Sequence, residues 1–71
     1  MRLLLVEDSA RLRHLLSESI HEAGWHLDSF GDAGSGEEAA ATIPYDLALV
    51  DLGLPDGDGV DLIRRLRRAE F

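Results

Sequence analysis

Two stretches of unbroken apolar residues, Leu3-Leu4-Leu5-Val6 and Leu47-Ala48-Leu49-Val50, constrain this chain more than anything else in it. Each is too short for a helix and lacks the alternation of a strand with one wet face, so each reads as a strand buried on both sides. Such strands belong to parallel sheets covered by helices on both faces. Each run also stops on acid, Glu7-Asp8 after the first and Asp51 after the second. A carboxylate at the tip of a greasy strand costs free energy unless something compensates it, so it is either a cap or a reactive group.

The segments between the runs complete the pattern. From about residue 9 to 23, Leu12, Leu15, Leu16, Ile20 and Ala23 recur at steps of three and four, which predicts an amphipathic helix that Gly24 ends. Trp25 to Phe30 alternates, with Trp25 and Leu27 on one face and His26 and Asp28 on the other, as in a half-buried strand at a sheet edge. Gly31 to Gly36 reads as a loop, and Glu37 to Thr42 as a short helix stopped by Pro44. After a turn at Pro55 to Gly59, Val60, Ile63 and Leu66 form a last helical stripe with Arg64, Arg65, Arg67 and Arg68 on its outer arc. The order β-α-β-α-β-α predicts an α/β fold, a parallel sheet with helices on both faces.

At 71 residues the chain is one small domain at most, and without cysteine it has neither disulfides nor thiolate zinc sites, which suits a reducing cytoplasm. No apolar run approaches the roughly 20 residues of a membrane span, and the N-terminus lacks the order of a signal peptide. Fourteen acidic against seven basic residues give a net charge of −7, which disfavours a nucleic-acid surface and suits cations. All seven basic residues are arginine.

In open α/β sheets the ligand site lies beyond the carboxyl ends of the strands. If the first and third strands are neighbours, Glu7, Asp8 and Asp51 converge across about 5 Å, where three like charges require a raised pKa or a cation. With oxygen ligands alone the expected guest is Mg²⁺, which takes one or two carboxylates, keeps several waters and still accepts a phosphate oxygen. A carboxylate beside that ion can attack phosphorus and carry an acyl phosphate. The plainer alternative for Asp51 is a turn carboxylate capping loop amides, and for Glu7-Asp8 the first turn of a helix, although Ser9 can cap equally well.

The segments LLLVEDS and DLALVDLGLPDGDGVDLIRRLR resemble the receiver domain of two-component response regulators, in the branch that carries winged-helix transcription factors. The resemblance covers the whole chain. It implies a flavodoxin-like sheet of order 2-1-3, with Asp51 accepting a phosphoryl group from a sensor histidine kinase. It further implies Mg²⁺ held directly by Asp8 and Asp51, Glu7 acting mainly through a metal-bound water, and Gly53 supplying its main-chain carbonyl. Pro55 and Gly59 would shape the adjoining loop. The family's phosphoryl-binding Ser or Thr and Lys, at the ends of a fourth and fifth sheet strand, fall past Phe71, so residues 1–71 read as the front half of a receiver. DNA would be reached only through an output domain outside these residues.

Other motifs weigh less. DGDGV at 56 to 60 fails as an EF-hand, since Val60 and Arg67 stand where oxygen ligands belong. The same stretch resembles the D-x-D-G signature of haloacid-dehalogenase phosphatases, an alternative in which Asp56 and Asp58 serve a small Mg²⁺-dependent phosphatase; Pro55 argues against a strand there. Gly31, Gly34 and Gly36 lack dinucleotide spacing, and His14, His21 and His26 form no ligand pattern. The arginine arc reads as a solvated face. Leu12 reads as a packing residue with an exposed edge, in the part of the first helix where the family meets its kinase. In the order 2-1-3 the third strand leaves an apolar edge unpaired, which predicts association through that edge, as a homodimer or otherwise.

Overall fold

The computed structural model describes all 71 residues. Three parallel strands, β1 (Arg2–Val6), β2 (His26–Phe30) and β3 (Leu47–Val50), form a sheet of order β2-β1-β3. Around them run helices α1 (Ala10–Glu22), α2 (Ala33–Thr42) and α3 (Gly59–Arg68). A two-rung antiparallel hairpin, β4 (Gly53–Leu54) and β5 (Gly57–Asp58), lies between β3 and α3 where the sequence predicts only a turn.

β1 is central and fully buried from Leu3 to Val6, as its unbroken apolar run requires. Its alternate side chains serve opposite faces. Leu4 and Val6 join Ala33, Leu54, Leu62 and Leu66 in the core under α2 and α3, with Phe30, Ala48 and Val50 packed against it. Leu3 and Leu5 face the side that carries α1.

Local signals explain the helix ends. The Ser9 hydroxyl accepts from Leu12 N at the start of α1. At its far end Gly24, with φ 83°, and Trp25 donate to the carbonyls of His21 and Ile20, a Schellman closure that glycine makes without strain. α3 closes the same way, Glu70 N to Arg67 O and Phe71 N to Leu66 O, but with Glu70 in the left-handed conformation at φ 61°.

The structure corrects several further expectations. α2 begins at Ala33, so Gly34 and Gly36 are helical rather than loop residues. Asp32 accepts from Ser35 N, and Asp56 from Ala33 N and Gly34 N, which satisfies the first turn from two carboxylates. β2 starts one residue after Trp25, and Asp28 points inward far enough to accept from the Tyr45 hydroxyl at 2.6 Å. In α3 the buried residues are Gly59, Leu62 and Leu66, while Val60 is exposed. Gly59 presses on the Asp51 carbonyl and sets the helix rotation, since a Cβ there would land on that oxygen. Finally, α1 has no buried residue: it leans over β2, leaving Leu12, Leu15 and Leu16 exposed. β3 is an edge strand rather than one buried on both sides: its outer edge carries no strand, and Leu47 and Leu49 are exposed because α1 leans over β2 and leaves that face open. No helix is long and apolar enough to cross a membrane.

Candidate functional site

Parallel register places the site. Val6 pairs with Val50, and Asp51 N donates to Val6 O at 2.8 Å, so the ladder runs one step past the third strand. Glu7 and Asp8 therefore leave the sheet beside Asp51. Each of the three offers a carboxylate oxygen within 4.8 Å of the others; Glu7 and Asp51 are half-buried and Asp8 is exposed. In an octahedral shell at about 2.1 Å, opposite ligands stand about 4.2 Å apart, so a small closure of these side chains grips one Mg²⁺. The all-oxygen donor set suits that hard cation.

The backbone around the acids is held from several directions. Glu7 N donates to Phe30 O at 2.9 Å, joining the site to the end of β2. The Glu7 carboxylate accepts from Ser9 N at 2.9 Å, which fixes the turn into α1. Arg13, one turn into α1, donates to Glu7 O at 2.6 Å and lies so close to Gly31 that a Cβ there would meet its guanidinium at 2.9 Å. Asp51 Oδ1 accepts from Gly53 N at 3.3 Å, and Gly59 N donates to Leu52 O at 3.0 Å.

Glu7, Asp8 and Asp51 are thus brought together as the sequence predicts, with Gly53 alongside through its amide. Asp56 and Asp58 are elsewhere. Asp58 caps α3, accepting from Val60 N at 2.8 Å. Asp56 caps α2 from across the chain, accepting from Ala33 N at 2.7 Å and Gly34 N at 3.0 Å. Those amides hold the Asp56 carboxyl below its ordinary range, against the opposing effect of desolvation. Both carboxylates of the D-x-D-G stretch are therefore engaged as helix caps, and the phosphatase alternative has no support. Sequence reasoning missed Arg13, whose only signal is its place one turn after the Ser9 cap. It also missed the Asp56 contact, which spans more than twenty residues.

Comparison with known proteins agrees with this geometry. Residues 3–70 match the response regulator receiver domain family. The chain belongs to that family. It is 49% identical over 67 residues to the transcriptional regulatory protein PhoP of Escherichia coli K12, covering 94% of this chain and 30% of that relative. The chain thus spans about a third of the length of the curated relatives it matches. The Thermotoga maritima response regulator TrrA, solved in complex with Mg²⁺ and BeF, superposes with a TM-score of 0.93 at 26% identity, covering 97% of this chain and 60% of that one. A structure of the histidine kinase ThkA in complex with TrrA gives 0.90 at 27% identity, covering 94% and 58%. The receiver fold, a parallel sheet of order 2-1-3 with helices on both faces, is the common element.

Proposed function

We propose that this receiver chain takes a phosphoryl group from the histidine of a sensor kinase onto Asp51, with Mg²⁺ bound, as the input stage of a two-component response regulator. The observation that carries the reading is the meeting of Glu7, Asp8 and Asp51 across neighbouring parallel strands. Asp8 and Asp51 would hold the ion directly, Gly53 would add its main-chain carbonyl, and Glu7 would act through a metal-bound water. The ion, when bound, relieves the mutual repulsion of the acids and neutralises charge on the incoming phosphoryl group. An Asp51 carboxylate oxygen forms the new O–P bond as the P–N bond of the kinase phosphohistidine breaks, its electron pair returning to the imidazole nitrogen. Gly53 N steadies Oδ1 of Asp51, and the Val6 carbonyl fixes the Asp51 backbone.

The chain in this reading is a cytoplasmic signalling acceptor that assists its own phosphorylation and dephosphorylation, not an enzyme acting on free substrates. Its relatives are named as transcriptional regulators, which supports an output through a DNA-binding domain beyond these residues. The complex of TrrA with a histidine kinase supports a kinase as partner. The open β3 edge supports pairing with a further strand, in a homodimer or otherwise; light scattering together with amide exchange of residues 47–50 tests it, and a monomer with freely exchanging amides there refutes it.

The central test is incubation with Mg²⁺ and a small acyl-phosphate donor, followed by mass spectrometry. A phosphoryl adduct on the peptide bearing Asp51 is expected, absent in Asp51→Asn and after chelation of the metal. An adduct that persists in Asp51→Asn overturns the assignment.

A further inference from the structure

The acidic site is enclosed by a continuous circuit of contacts in which one side chain, Asp56, makes the link from the hairpin to α2. From Glu7 the circuit passes through its amide to Phe30 O, and through Arg13 to Gly31. It continues along Asp32 into the first turn of α2, crosses from Ala33 N and Gly34 N to Asp56, and follows the hairpin back to Gly53 and Asp51. Asp51 N to Val6 O closes it beside Glu7.

The hairpin needs that link. It has two rungs, Gly53 to Asp58 and Leu54 to Gly57, and a two-stranded ribbon so short has little stability of its own. Leu54 is buried in the core and Gly59 is seated against Asp51, but Gly53, Pro55, Asp56, Gly57 and Asp58 are all exposed. Only the Asp56 carboxylate ties the tip to another element. Its negative charge sits at the N-terminus of α2, where the helix dipole favours it.

Resting on the receiver reading above, the geometry points to Asp56 as a positioning residue: by clamping the hairpin to the α2 N-terminus it holds the Gly53 carbonyl where Mg²⁺ needs it, and so links metal binding to the order of α2. Partners that orient metal ligands without touching the ion typically change affinity by about 10–100-fold when removed. Linkage also works in reverse, so that the metal protects the α2 amides to the same degree that the clamp strengthens the metal.

The test compares Mg²⁺ affinity by calorimetry in the wild-type protein, Asp56→Ala, Asp56→Asn, Asp32→Ala and Asp51→Asn, with amide exchange of Ala33 and Gly34 measured with and without Mg²⁺. Asp32→Ala is the control for a merely structural role, because it removes a cap from the same helix end without touching the hairpin. Asp56→Ala is expected to weaken Mg²⁺ about tenfold and to abolish the slowing of Ala33 and Gly34 exchange by the metal. Asp56→Asn, which keeps one acceptor oxygen, is expected to fall between, and Asp32→Ala to stay within about twofold of wild type. Equal losses in Asp32→Ala and Asp56→Ala overturn the proposal, as does an unchanged affinity in Asp56→Ala. If Asp51→Asn alone loses the metal, the receiver reading stands and the clamp fails; if Asp51→Asn binds as wild type does, or wild type binds no Mg²⁺, both fall.

Discussion

The two faces of the sheet share the strand β1 yet are built differently. Under α2 and α3, Leu4, Val6, Leu62 and Leu66 are closed off from water, two glycines allow backbone and side chains to meet, and an Arg65 to Glu37 ion pair with Nε 3.0 and 3.1 Å from the two carboxylate oxygens ties α3 to α2. On the α1 face Leu3 and Leu5 are buried by the helix and sheet together, but the helix stripe itself stays open, and Leu16 lines a shallow groove with Leu5 and Leu49 that ends at Glu7 and Asp51. The acidic site lies on the seam between them. Its backbone is fixed from the closed face through Gly59 and Leu54 and from the start of α1 through Arg13, while the uncovered groove leaves the carboxylates accessible. A fixed backbone beneath accessible carboxylates is what the proposed acceptor role requires.

The largest difference between the two faces is expected from Leu62→Ala. Leu62 is fully buried at 0% exposure, so truncation leaves a cavity in the closed face and should cost about 2–5 kcal/mol by urea denaturation. A loss of only about 0.5 kcal/mol, the range of surface substitutions, means that the α2 and α3 face is not the main source of stability.

A paired substitution within α2 sharpens it. At Gly36 a Cβ would stand 2.5 Å from Val6 Cγ2, so Gly36→Ala forces the helix away from the sheet and should cost about 1–3 kcal/mol. At Gly34 the nearest atoms are 3.4 Å or farther and belong to the carboxylates of Asp32 and Asp56. Gly34→Ala should stabilise by about 0.5–1 kcal/mol through helix propensity and a less flexible unfolded chain. Thermal melts of the two variants should move in opposite directions; a shared sign refutes the close helix–sheet approach.

These positions also show where sequence reasoning reaches and where it stops. β1 was legible in full because an unbroken apolar run of four has one stable home; the same argument found β3 as a strand but misjudged its burial, since β3 lies at the sheet edge with Leu47 and Leu49 exposed. The convergence of Glu7, Asp8 and Asp51 followed once those strands were adjacent and parallel. The Gly24 stop was legible because a left-handed residue at a helix end calls for glycine. The start of α2 was not: its glycines signal a loop locally, and the carboxylate that completes its cap, Asp56, is 22 residues beyond Gly34. The rotation of α3 escaped because Val60, Ile63 and Leu66 make as good a stripe as Leu62 and Leu66, and the choice is made by Gly59 meeting a carbonyl from another segment. The role proposed for Asp51 came from family resemblance; the spacing alone supplied only a place for a cation.

Tyr45 gives a smaller effect on the rim of the closed face. Burial, then its hydrogen bond to Asp28, push the hydroxyl up to about 12. Tyr45→Phe should cost about 1 kcal/mol at neutral pH, the net worth of a hydrogen bond. The fold favours the protonated phenol, so the contribution is complete below about pH 10, the unfolded value, and is lost as the pH rises through about 12. Wild type and Tyr45→Phe should therefore converge in urea midpoint as the pH is raised through this range. A difference that grows instead means that the fold does not favour the protonated phenol, and overturns the stabilising bond from Tyr45 to Asp28.

The smallest effect belongs to the open face. Leu15 is 48% exposed and alanine has at least equal helix propensity, so Leu15→Ala should change stability by no more than about 0.5 kcal/mol. That near-silence is specific to a face left uncovered. A covering layer, whether a second copy or further chain, would bury the same side chain and raise the cost toward the about 2–5 kcal/mol of a core leucine. Covering by a second copy has an added signature, because stability then depends on protein concentration. Measuring Leu15→Ala at two concentrations a hundredfold apart separates the cases: a small, constant effect keeps the two faces distinct, a large, constant one indicates cover from the same chain, and a large effect that grows with concentration makes the open face an interface.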